Sequence, residues 1–290
     1  MTKFSVCIPF LKNECYLREL LGSVENISGV DMEVLVSQDA PVSNDLKQHF
    51  KDRLAIRWVT GPTAGIAANW NRCIEQANGE YIILFHADDA VRSNYFDIIS
   101  NLQREHPSSS AWFCKASVID AQGNSTTSLI DRAKLALTPK PPAFRLEGDE
   151  GLAKLLLGCF IYCPTVCYRA SVIKSHQFDA RRKMVLDLDL YSRLLMAGET
   201  ISGSNSVGYY YRRHKDGQSV VLTDGTSRFE EEVDLYNSLI GRLQVQDWPL
   251  SARQAKLKVF IRLHILFELS KSLVFFDGQR AMRLWKLVLL

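Results

Sequence analysis

The stretch that decides the fold is "EYIILFHADDAV", residues 80 to 91. Residues 81 to 86 form a mostly apolar run of strand length, which is typical of a strand buried on both faces of a sheet. Two adjacent aspartates, Asp88 and Asp89, follow the run directly. Neighbouring carboxylates raise each other's pKa, so the pair either lies in a solvated turn or has a cation beside it.

On both sides of this stretch, short apolar runs alternate with segments that have helical spacing. Four further apolar runs of strand length lie at residues 4–9, 32–37, 55–59 and 111–119. The segments between the runs have helical spacing, and they begin at the capping residues Asn13, Ser43 and Ser93. A repeated strand and helix pattern predicts an α/β fold with a mostly parallel sheet and helices on both faces.

Unusual polar residues follow three of the predicted strands. Asp39 follows the second strand, "TGPTAG" (residues 60–65) follows the third, and the aspartate pair follows the fourth. Ligands of such sheets bind beyond the carboxyl ends of the strands. Mg²⁺ or Mn²⁺ held by one or two carboxylates completes its shell with water and phosphate oxygens. The pair therefore predicts Mn²⁺ or Mg²⁺ as cofactor and a phosphate-bearing substrate, unless Asp88 only caps the next helix or lies in a turn.

The loop after the first strand argues against other nucleotide-binding classes. It reads "PFLKNE" (residues 9–14), where a dinucleotide-binding dehydrogenase has GxGxxG, and the chain has no GxxxxGK[ST] loop. A nucleotidyltransferase would also need a glycine-rich basic loop there. It remains an alternative, as does a non-catalytic protein that binds a nucleotide.

Composition indicates the broad class of protein to which the chain belongs. The chain has 290 residues, 47% of them hydrophobic, which is enough for one large domain with its own core. A net charge of +3 does not indicate nucleic acid as a partner. No run resembles a signal peptide or reaches the roughly 18 apolar residues of a membrane span. Seven cysteines without paired ligand spacing indicate reduced thiols, and we expect a cytoplasmic protein.

The order of four segments resembles the inverting family 2 glycosyltransferases with the GT-A fold. The segments are "FSVCIPFLKNECYLRELLGSV" (4–24), "MEVLVSQDAPVSND" (32–45), "GPTAGIAANWNRCIEQANGEYIILFHADD" (61–89) and "VLDLDLYSRLL" (185–195). The resemblance implies a metal-dependent transfer of a sugar from a nucleotide-diphosphate sugar to an acceptor hydroxyl, in surface polysaccharide or glycolipid synthesis. A carbohydrate or a lipid-linked molecule would be the acceptor. UDP is favoured as the donor nucleotide, although thymine offers the same imide edge as uracil.

The resemblance assigns roles to the aspartates at the strand ends. Asp39 matches the carboxylate that binds the uracil ring, and Gln38 replaces the aspartate that usually precedes it. Asp88 and Asp89 match the last two positions of the family's DxDD run, with Asp89 expected to be the direct metal ligand. His86 replaces the first aspartate of that run.

Further nucleotide contacts are implied around these aspartates. Pro9 and Asn71 match nucleotide-binding positions, while Trp70 stands where the family usually has an arginine. The segment "YYYRRHKDGQS" (209–219) resembles the one that closes over the donor phosphates. Arg213 would then bind phosphate and His214 would bind phosphate or metal; a surface cluster without chemistry is the alternative.

The resemblance assigns the general base to the segment "VLDLDLYSRLLMAG" (185–198). Asp187 matches the family's catalytic aspartate, which takes the proton of the attacking hydroxyl. Asp187 and Asp189 are two residues apart, so they cannot share one helix face. We expect Asp189 to pair with Arg193. Asp187 could alternatively be a charge favoured by the helix dipole.

The sequence predicts a catalytic domain followed by a helical extension. Residues 1–228 form the predicted catalytic domain, with a nucleotide-binding half at 1–120 and an acceptor half at 121–228. Residues 229–290 form the extension. Its last part, residues 253–290, carries eight basic and two acidic residues for a net charge of +6, which leaves −3 for the rest of the chain. This end is electrostatically distinct from the domain.

The tail carries an apolar stripe beside its basic residues. The stripe consists of Leu257, Phe260, Ile261, His264, Ile265, Glu268 and Leu269. Such a helix lies on an anionic membrane surface, packs on the catalytic domain, or forms a dimer contact. The terminal "LWKLVLL" favours the membrane, which would place the protein at the periphery of the inner membrane face.

Overall fold

A nine-stranded mixed sheet organises the part of the chain that the structure describes. The computed structural model describes residues 3–62 and 65–289, so Thr63 and Ala64 of the predicted "TGPTAG" loop lie outside it. The strands are β1 (Phe4–Phe10), β2 (Met32–Gln38), β3 (Ile56–Thr60), β4 (Tyr81–Leu84), β5 (Ala90–Val91), β6 (Ala111–Ile119), β7 (Ala143–Leu146), β8 (Val166–Arg169) and β9 (Ile201–Arg212). Their spatial order is β3-β2-β1-β4-β8-β6-β9-β5, and β7 pairs with β9.

The first four strands in this order are parallel. β1 lies between β2 and β4, and β3 extends the sheet beyond β2. Val6, Cys7 and Ile8 of β1 are fully buried because helices cover both faces. The predicted strands are confirmed to within one or two residues at each end. Their carboxyl ends meet at one edge of the sheet.

The second part of the sheet brings a distant segment to that same edge. β8 runs antiparallel to both β4 and β6, and β9 runs parallel to β6. β9 therefore points in the same direction as β4, and its carboxyl end at Arg212 reaches the turn that follows β4. The predicted α/β class with a mostly parallel sheet and helices is confirmed.

Helices connect the strands and extend the fold at its end. They are α1 (Glu14–Glu25), α2 (Asn44–Phe50), α3 (Ile66–Gln76), α4 (Tyr95–Glu105), α5 (Leu129–Leu137), α6 (Gly148–Leu157), α7 (Ala170–His176), α8 (Leu186–Met196), α9 (Gln218–Asp224), α10 (Ser227–Val245), α11 (Pro249–Leu257), α12 (Val259–Val274) and α13 (Gly278–Leu289). The Ser43 hydroxyl accepts a hydrogen bond from the Leu46 amide, as a capping residue does. The seven cysteines are free thiols, and five of them are buried.

The C-terminal helices share a hydrophobic core with the acceptor half. Phe229, Leu239 and Ile265 belong to the same buried cluster as residues of α6 and α8. The Tyr236 hydroxyl on α10 donates to the Leu156 carbonyl at 2.8 Å. Residues 229–290 were predicted as an extension of the catalytic domain, and the core is continuous across that boundary.

The apolar stripe of the tail lies against the protein. Ile261, His264, Ile265, Glu268 and Leu269 are buried. The packing alternative therefore holds for these residues, and the expectation that this stripe enters a membrane is wrong. Within residues 3–62 and 65–289, no helix has the length and the apolar run that crossing a membrane requires.

Two neighbouring residues of α12 test whether the tail is part of the core. The Ile265 side chain is fully buried, whereas Leu266 is 43% exposed. Ile265→Ala should lower the free energy of unfolding by about 2 to 5 kcal/mol, because it leaves a cavity. The matched change Leu266→Ala should cost less than about 1 kcal/mol. Urea unfolding, followed by circular dichroism, should show one transition for all three proteins; a separate early transition for the tail would contradict the shared core.

Candidate active site

A cavity of about 420 Å³ opens at the carboxyl edge of the sheet. The ends of β1, β4 and β9 form one side of it, and α5, the N-terminus of α8 and the C-terminal helices form the other. Its polar lining includes Lys12, Asn13, Tyr16, His86, Asp88, Lys134, Lys183, Asp187, Arg213, His214, Asp216, Arg228, Glu232 and His264. This size and this mixed lining are typical of a small-molecule site.

The two aspartates after β4 have different environments. The Asp88 side chain faces the cavity and is 38% exposed, whereas Asp89 is only 1% exposed and lies beneath it. Asp89 Oδ1 accepts a hydrogen bond from the Arg212 amide at 2.7 Å. Asp88 is therefore the carboxylate that faces the cavity, and Asp89 offers its oxygen from beneath, so the expectation that Asp89 is the direct metal ligand stays a prediction.

A buried arginine fixes this acidic turn. Arg212 Nε donates to the Asp88 carbonyl at 2.8 Å, and Nη1 donates to the Ala121 carbonyl at 3.2 Å. The guanidinium also pairs with Glu19 and lies 4.6 Å from the centre of the Tyr16 ring. Arg212 thus joins the turn to α1 and to the loop after β6. The sequence interpretation named its neighbours but assigned no role to Arg212.

Two histidines flank Asp88. His214 Nε2 lies 2.9 Å from Asp88 Oδ2, and the His214 ring packs on Tyr16. His86, which follows β4, packs on Trp70 with ring centres 5.1 Å apart. Both histidines line the cavity, so the substitution of His86 for an aspartate keeps a metal-binding side chain at that position.

The turn fits a divalent cation. One ligand atom from each of His86, Asp88 and Asp89 lies within 4.8 Å of the others. His86 Nε2 is buried and has no hydrogen-bond partner among the described residues, and Asp89 Oδ2 is buried beside the Tyr209 hydroxyl. Buried polar atoms without partners are rare in folded proteins, and a bound ion would give His86 Nε2 a partner. His214 is not part of this group and contacts it through Asp88.

Environment separates the acidities of the two aspartates. Burial raises the pKa of Asp88, but the hydrogen bond from His214 and the nearby charge of His86 lower it by more, so the net shift is downward. Burial, with the Asp88 charge added to it, raises the pKa of Asp89 well above its usual range. Of the two neighbouring aspartates, only Asp88 therefore favours the ionised form, which removes the repulsion between like charges.

The residues predicted for the nucleotide base form a separate cluster. Asp39 is buried at the end of β2 and pairs with Arg72 of α3. Arg72 Nε also donates to the Ser37 hydroxyl at 2.7 Å. A basic group therefore stands beside Asp39 although Trp70 occupies the position where the family has an arginine. Neither Asp39 nor Arg72 lines the cavity.

Asn71 contacts the backbone of a distant loop. Its amide nitrogen donates to the Phe178 carbonyl, and its oxygen accepts from the Phe178 amide, both at 2.9 Å. The side chain is absent from the cavity lining. The structure therefore uses Asn71 to hold the loop before α8. Of the predicted nucleotide contacts, Pro9, Asp88 and Arg213 line the cavity.

Asp187 lies in the first turn of α8 and lines the cavity. Burial raises the pKa of its carboxyl, and the opposing charge of Lys134 only partly offsets the effect. Asp187 Oδ1 accepts the Leu188 amide at 2.8 Å. Asp189 is buried on another face and pairs with Arg193 at 2.8 Å, as expected. Only the first of the two aspartates can reach a bound molecule.

Arg213 is held by a polar network at the edge of the cavity. Its guanidinium forms two hydrogen bonds with Asp131, one of them from Nη2 to Oδ1 at 2.5 Å. The Tyr162 hydroxyl donates to the same carboxylate at 2.8 Å, and Ser128 donates to it at the start of α5. Asp131 was not singled out from the sequence, and it fixes the direction of Arg213.

The C-terminal helices contribute to the cavity. Arg228 and Glu232 of α10 pair at 3.1 Å, and His264 of α12 lies behind them. Across from them, the Lys134 ammonium of α5 has no hydrogen bond or ion pair among the described residues, and its Nζ lies 4.5 Å from the centre of the Tyr162 ring. No local pattern predicted that these residues share a cavity, because they meet only when the tail packs on the domain.

A mostly parallel mixed sheet, with an acidic turn at the carboxyl edge and a second carboxylate across the cavity, is the arrangement of nucleotide-sugar glycosyltransferases with the GT-A fold. The chain belongs to this class by sequence as well. Residues 5–163 match the model of glycosyl transferase family 2, which is more than half of the chain, so the chain is a member of that family.

A characterised enzyme is similar to the chain in sequence. The chain is 23% identical over 228 residues to the poly(ribitol-phosphate) beta-N-acetylglucosaminyltransferase TarS of Staphylococcus aureus. The alignment covers 75% of this chain and 37% of the relative. The chain thus spans little more than a third of the length of the relatives that it matches.

Solved structures share the fold. The TarS fragment 1-349 in complex with UDP-GlcNAc superposes with a TM-score of 0.62 at 16% identity, covering 97% of this chain and 90% of that one. A mannosyltransferase from Pyrobaculum calidifontis, in complex with GDP-Man and Mn²⁺, has the same TM-score at 12% identity, covering 99% and 85%. The GT-A fold is therefore confirmed.

The Arg213 network gives a pH-dependent prediction. Burial raises the pKa of Asp131, but the bonds from Arg213 and Ser128 lower it to about 2. A lowered pKa stabilises the fold above the unfolded value near 3.9, and the contribution is lost as the pH falls toward 2. Asp131→Asn should therefore cost about 2 to 3 kcal/mol at pH 7, and roughly half of that difference should remain at pH 3.

The control for this prediction is the same substitution at an exposed ion pair. Asp45 pairs with Arg18 on the surface, where ion pairs contribute little, so Asp45→Asn should leave the stability nearly unchanged. Urea titrations at pH 7 and pH 3 measure both variants against the parent protein. An Asp131→Asn penalty that does not shrink in acid would show that the carboxylate acts through shape and not through charge.

Proposed function

We propose that the protein transfers a sugar from a nucleotide-diphosphate sugar to an acceptor hydroxyl, with inversion at the anomeric carbon and with a divalent cation at the acidic turn. The observation that carries the proposal is the presence of Asp88 and Asp187 in one cavity at the carboxyl edge of the sheet. One carboxylate belongs to the donor side of this cavity and the other to the acceptor side. Membership in glycosyl transferase family 2 supports the reaction class.

Asp88 would hold the cation, together with His86 or Asp89. These residues bring their ligand atoms together, and the Mn²⁺ in the archaeal mannosyltransferase complex supports a cation in this fold. A bound Mn²⁺ or Mg²⁺ would offset the negative charge of a nucleoside diphosphate leaving group. His214 would orient the Asp88 carboxylate through its hydrogen bond at 2.9 Å.

The Asp39 and Arg72 pair would form the base end of the donor site. The carboxylate lies at the end of β2, on the same sheet edge as the acidic turn, and a carboxylate accepts the imide N–H of uracil. We therefore favour UDP, which is also the nucleotide named in the TarS complexes. Pro9, between this pair and the turn, would contact the nucleotide directly.

Asp187 would act as the general base. Its carboxylate lines the cavity, and burial raises its pKa, which makes it a stronger base than an exposed aspartate. The base removes the proton of the acceptor hydroxyl while that oxygen attacks the anomeric carbon. Attack from the side opposite the leaving nucleotide inverts the configuration. Because the diphosphate is a good leaving group, the donor side needs no general acid.

The acceptor side of the cavity carries two lysines. Lys134 and Lys183 line it without an ion pair among the described residues, whereas Arg228 is paired with Glu232. Positive groups in a partly buried site favour an anionic ligand. An acceptor that carries phosphate fits this charge, and the name of the TarS relative specifies a poly(ribitol-phosphate) acceptor. Surface polysaccharide or glycolipid synthesis would supply such acceptors.

Asp187→Asn tests the reaction. The substitution keeps the shape and removes the base, so donor binding should persist while transfer falls by roughly 10² to 10⁴. In the parent protein, activity should decline as the pH falls through the raised pKa of Asp187, and the variant should lack that decline. Asp189→Asn is the matched control on the same helix, and it should change stability more than transfer.

The readouts separate the proposed reaction from a nucleotide-binding scaffold. Donor binding is measured by calorimetry with UDP-sugars, and transfer by release of UDP with a polyol-phosphate acceptor. The anomeric configuration of the product is read by NMR. A parent protein that binds UDP but shows no turnover with any sugar and acceptor pair would contradict the enzymatic proposal. Retention of configuration would contradict the proposed inversion and the role of Asp187 as general base, but not sugar transfer itself.

A further inference from the structure

Helix α12 is apolar on two opposite faces. One face, with Ile261, Ile265 and Leu269, is buried against the domain. The other face is exposed and carries Val259, Leu263, Leu266 and Leu273, which recur at intervals of three, four and seven residues. A helix that is apolar all round normally has a partner on both sides. Within the described residues only one side of α12 is covered.

The exposed face continues around the turn into α13. We define the apolar surface as Val259, Leu263, Leu266, Phe267, Leu273, Val274, Phe275, Phe276, Met282 and Trp285. Their exposed fractions range from 42% to 94%, and four of them are consecutive in the chain. Isolated exposed apolar residues are ordinary, but a run of this kind marks an interaction surface.

Basic side chains border the apolar surface. The Lys271 ammonium lies 5.2 Å from the centre of the Phe267 ring, and Arg283 and Lys286 are exposed beside Met282 and Trp285. Asp277 is the one exposed acidic residue in the described part of residues 253–289. Aromatic and aliphatic residues with a cationic border are the composition of a segment that lies at the boundary of an anionic lipid surface.

We propose that the apolar surface of α12 and α13 docks on an anionic membrane. Phe275 and Phe276, at the turn between the helices, enter the headgroup boundary, and Arg283 and Lys286 meet the lipid phosphates. This is the face of α12 opposite to the stripe that the sequence suggested. The proposal is independent of the transfer reaction, because it requires no donor, metal or base.

The position of α12 relates this surface to the active site. Phe260, Ile261 and His264 of the same helix line the cavity. A helix with its side chains is about 10 Å across, so a single helix separates the cavity from the docking surface. Docking would hold the acceptor side of the cavity next to the membrane, where a lipid-linked acceptor is concentrated.

A second copy of the chain fits the surface less well than a membrane does. Two copies joined through this face would bring the basic borders of both together, with only Asp277 of each to offset them. Like charges that face each other across an interface oppose association. An anionic lipid surface attracts the same residues, at roughly 1 kcal/mol for each basic side chain near it.

Sedimentation with vesicles tests the docking. The probes are vesicles of phosphatidylcholine mixed with phosphatidylglycerol, and vesicles of phosphatidylcholine alone. The full chain should sediment with the anionic vesicles, bind the neutral ones at least about tenfold more weakly, and be released by salt. Phe275→Ser with Phe276→Ser should lower partitioning to anionic vesicles at least about tenfold, because two exposed aromatic side chains are lost.

Matched controls isolate the surface. Val245→Ser changes an equally exposed apolar residue on α10 and should bind as the parent does. Arg283→Glu with Lys286→Glu should abolish binding, whereas Lys51→Glu with Lys154→Glu alters the net charge equally and should weaken it by less than about threefold. Thermal melting verifies that each variant is folded.

Three outcomes would overturn the proposal. The parent chain could remain in the supernatant with anionic vesicles, or the phenylalanine variant could sediment as the parent does. Light scattering could alternatively show a dimer that the phenylalanine variant converts to monomers, with no vesicle binding by either; the surface would then join two copies. Each result leaves UDP binding and transfer unaffected, so a failure here is distinguishable from a failure of the proposed reaction.

Discussion

The position of the acidic turn depends on the buried guanidinium of Arg212. Its hydrogen bonds join the Asp88 carbonyl, the Ala121 carbonyl and Glu19, and its own amide binds Asp89. These contacts connect β4, the loop after β6, α1 and β9. A buried charge needs such a complete set of partners, because leaving one unpaired costs several kcal/mol. Arg212 therefore fixes where the carboxylates of the turn can lie.

This constraint also explains why two aspartates can follow a buried strand. Arg212 holds Asp89 beneath the surface, where burial raises its pKa, and directs Asp88 into the cavity beside His214. The pair then presents one ionised carboxylate, Asp88, to the cavity and one buried carboxyl, Asp89, beneath it. A divalent cation fits that arrangement, and the proposed donor site follows from it. The opposite side of the cavity supplies the second carboxylate, Asp187, at the start of α8.

The parts of the structure that could be predicted are those that depend on residues close together in the sequence. The strands, most helix starts and the Asp88 and Asp89 pair were readable because periodicity and strand ends are local properties. The burial order of the pair was not readable, since it depends on an arginine that is 123 positions away from Asp89. The role of Arg72 beside Asp39 depends on which face of α3 meets the end of β2. Helix α12 is apolar on two faces, so its pattern could not show which face the domain covers.

Arg212 fixes the turn that presents Asp88, and Asp88 is the residue through which a cation would reach the donor nucleotide. Calorimetric titration of UDP with and without Mn²⁺, for the parent protein and for Asp88→Asn, tests this role. We expect Mn²⁺ to strengthen UDP binding by at least about tenfold, or about 1.4 kcal/mol, in the parent protein and to have no effect in the variant. Equal UDP affinities with and without Mn²⁺ in the parent, or an unchanged Mn²⁺ effect in the folded variant, would contradict it.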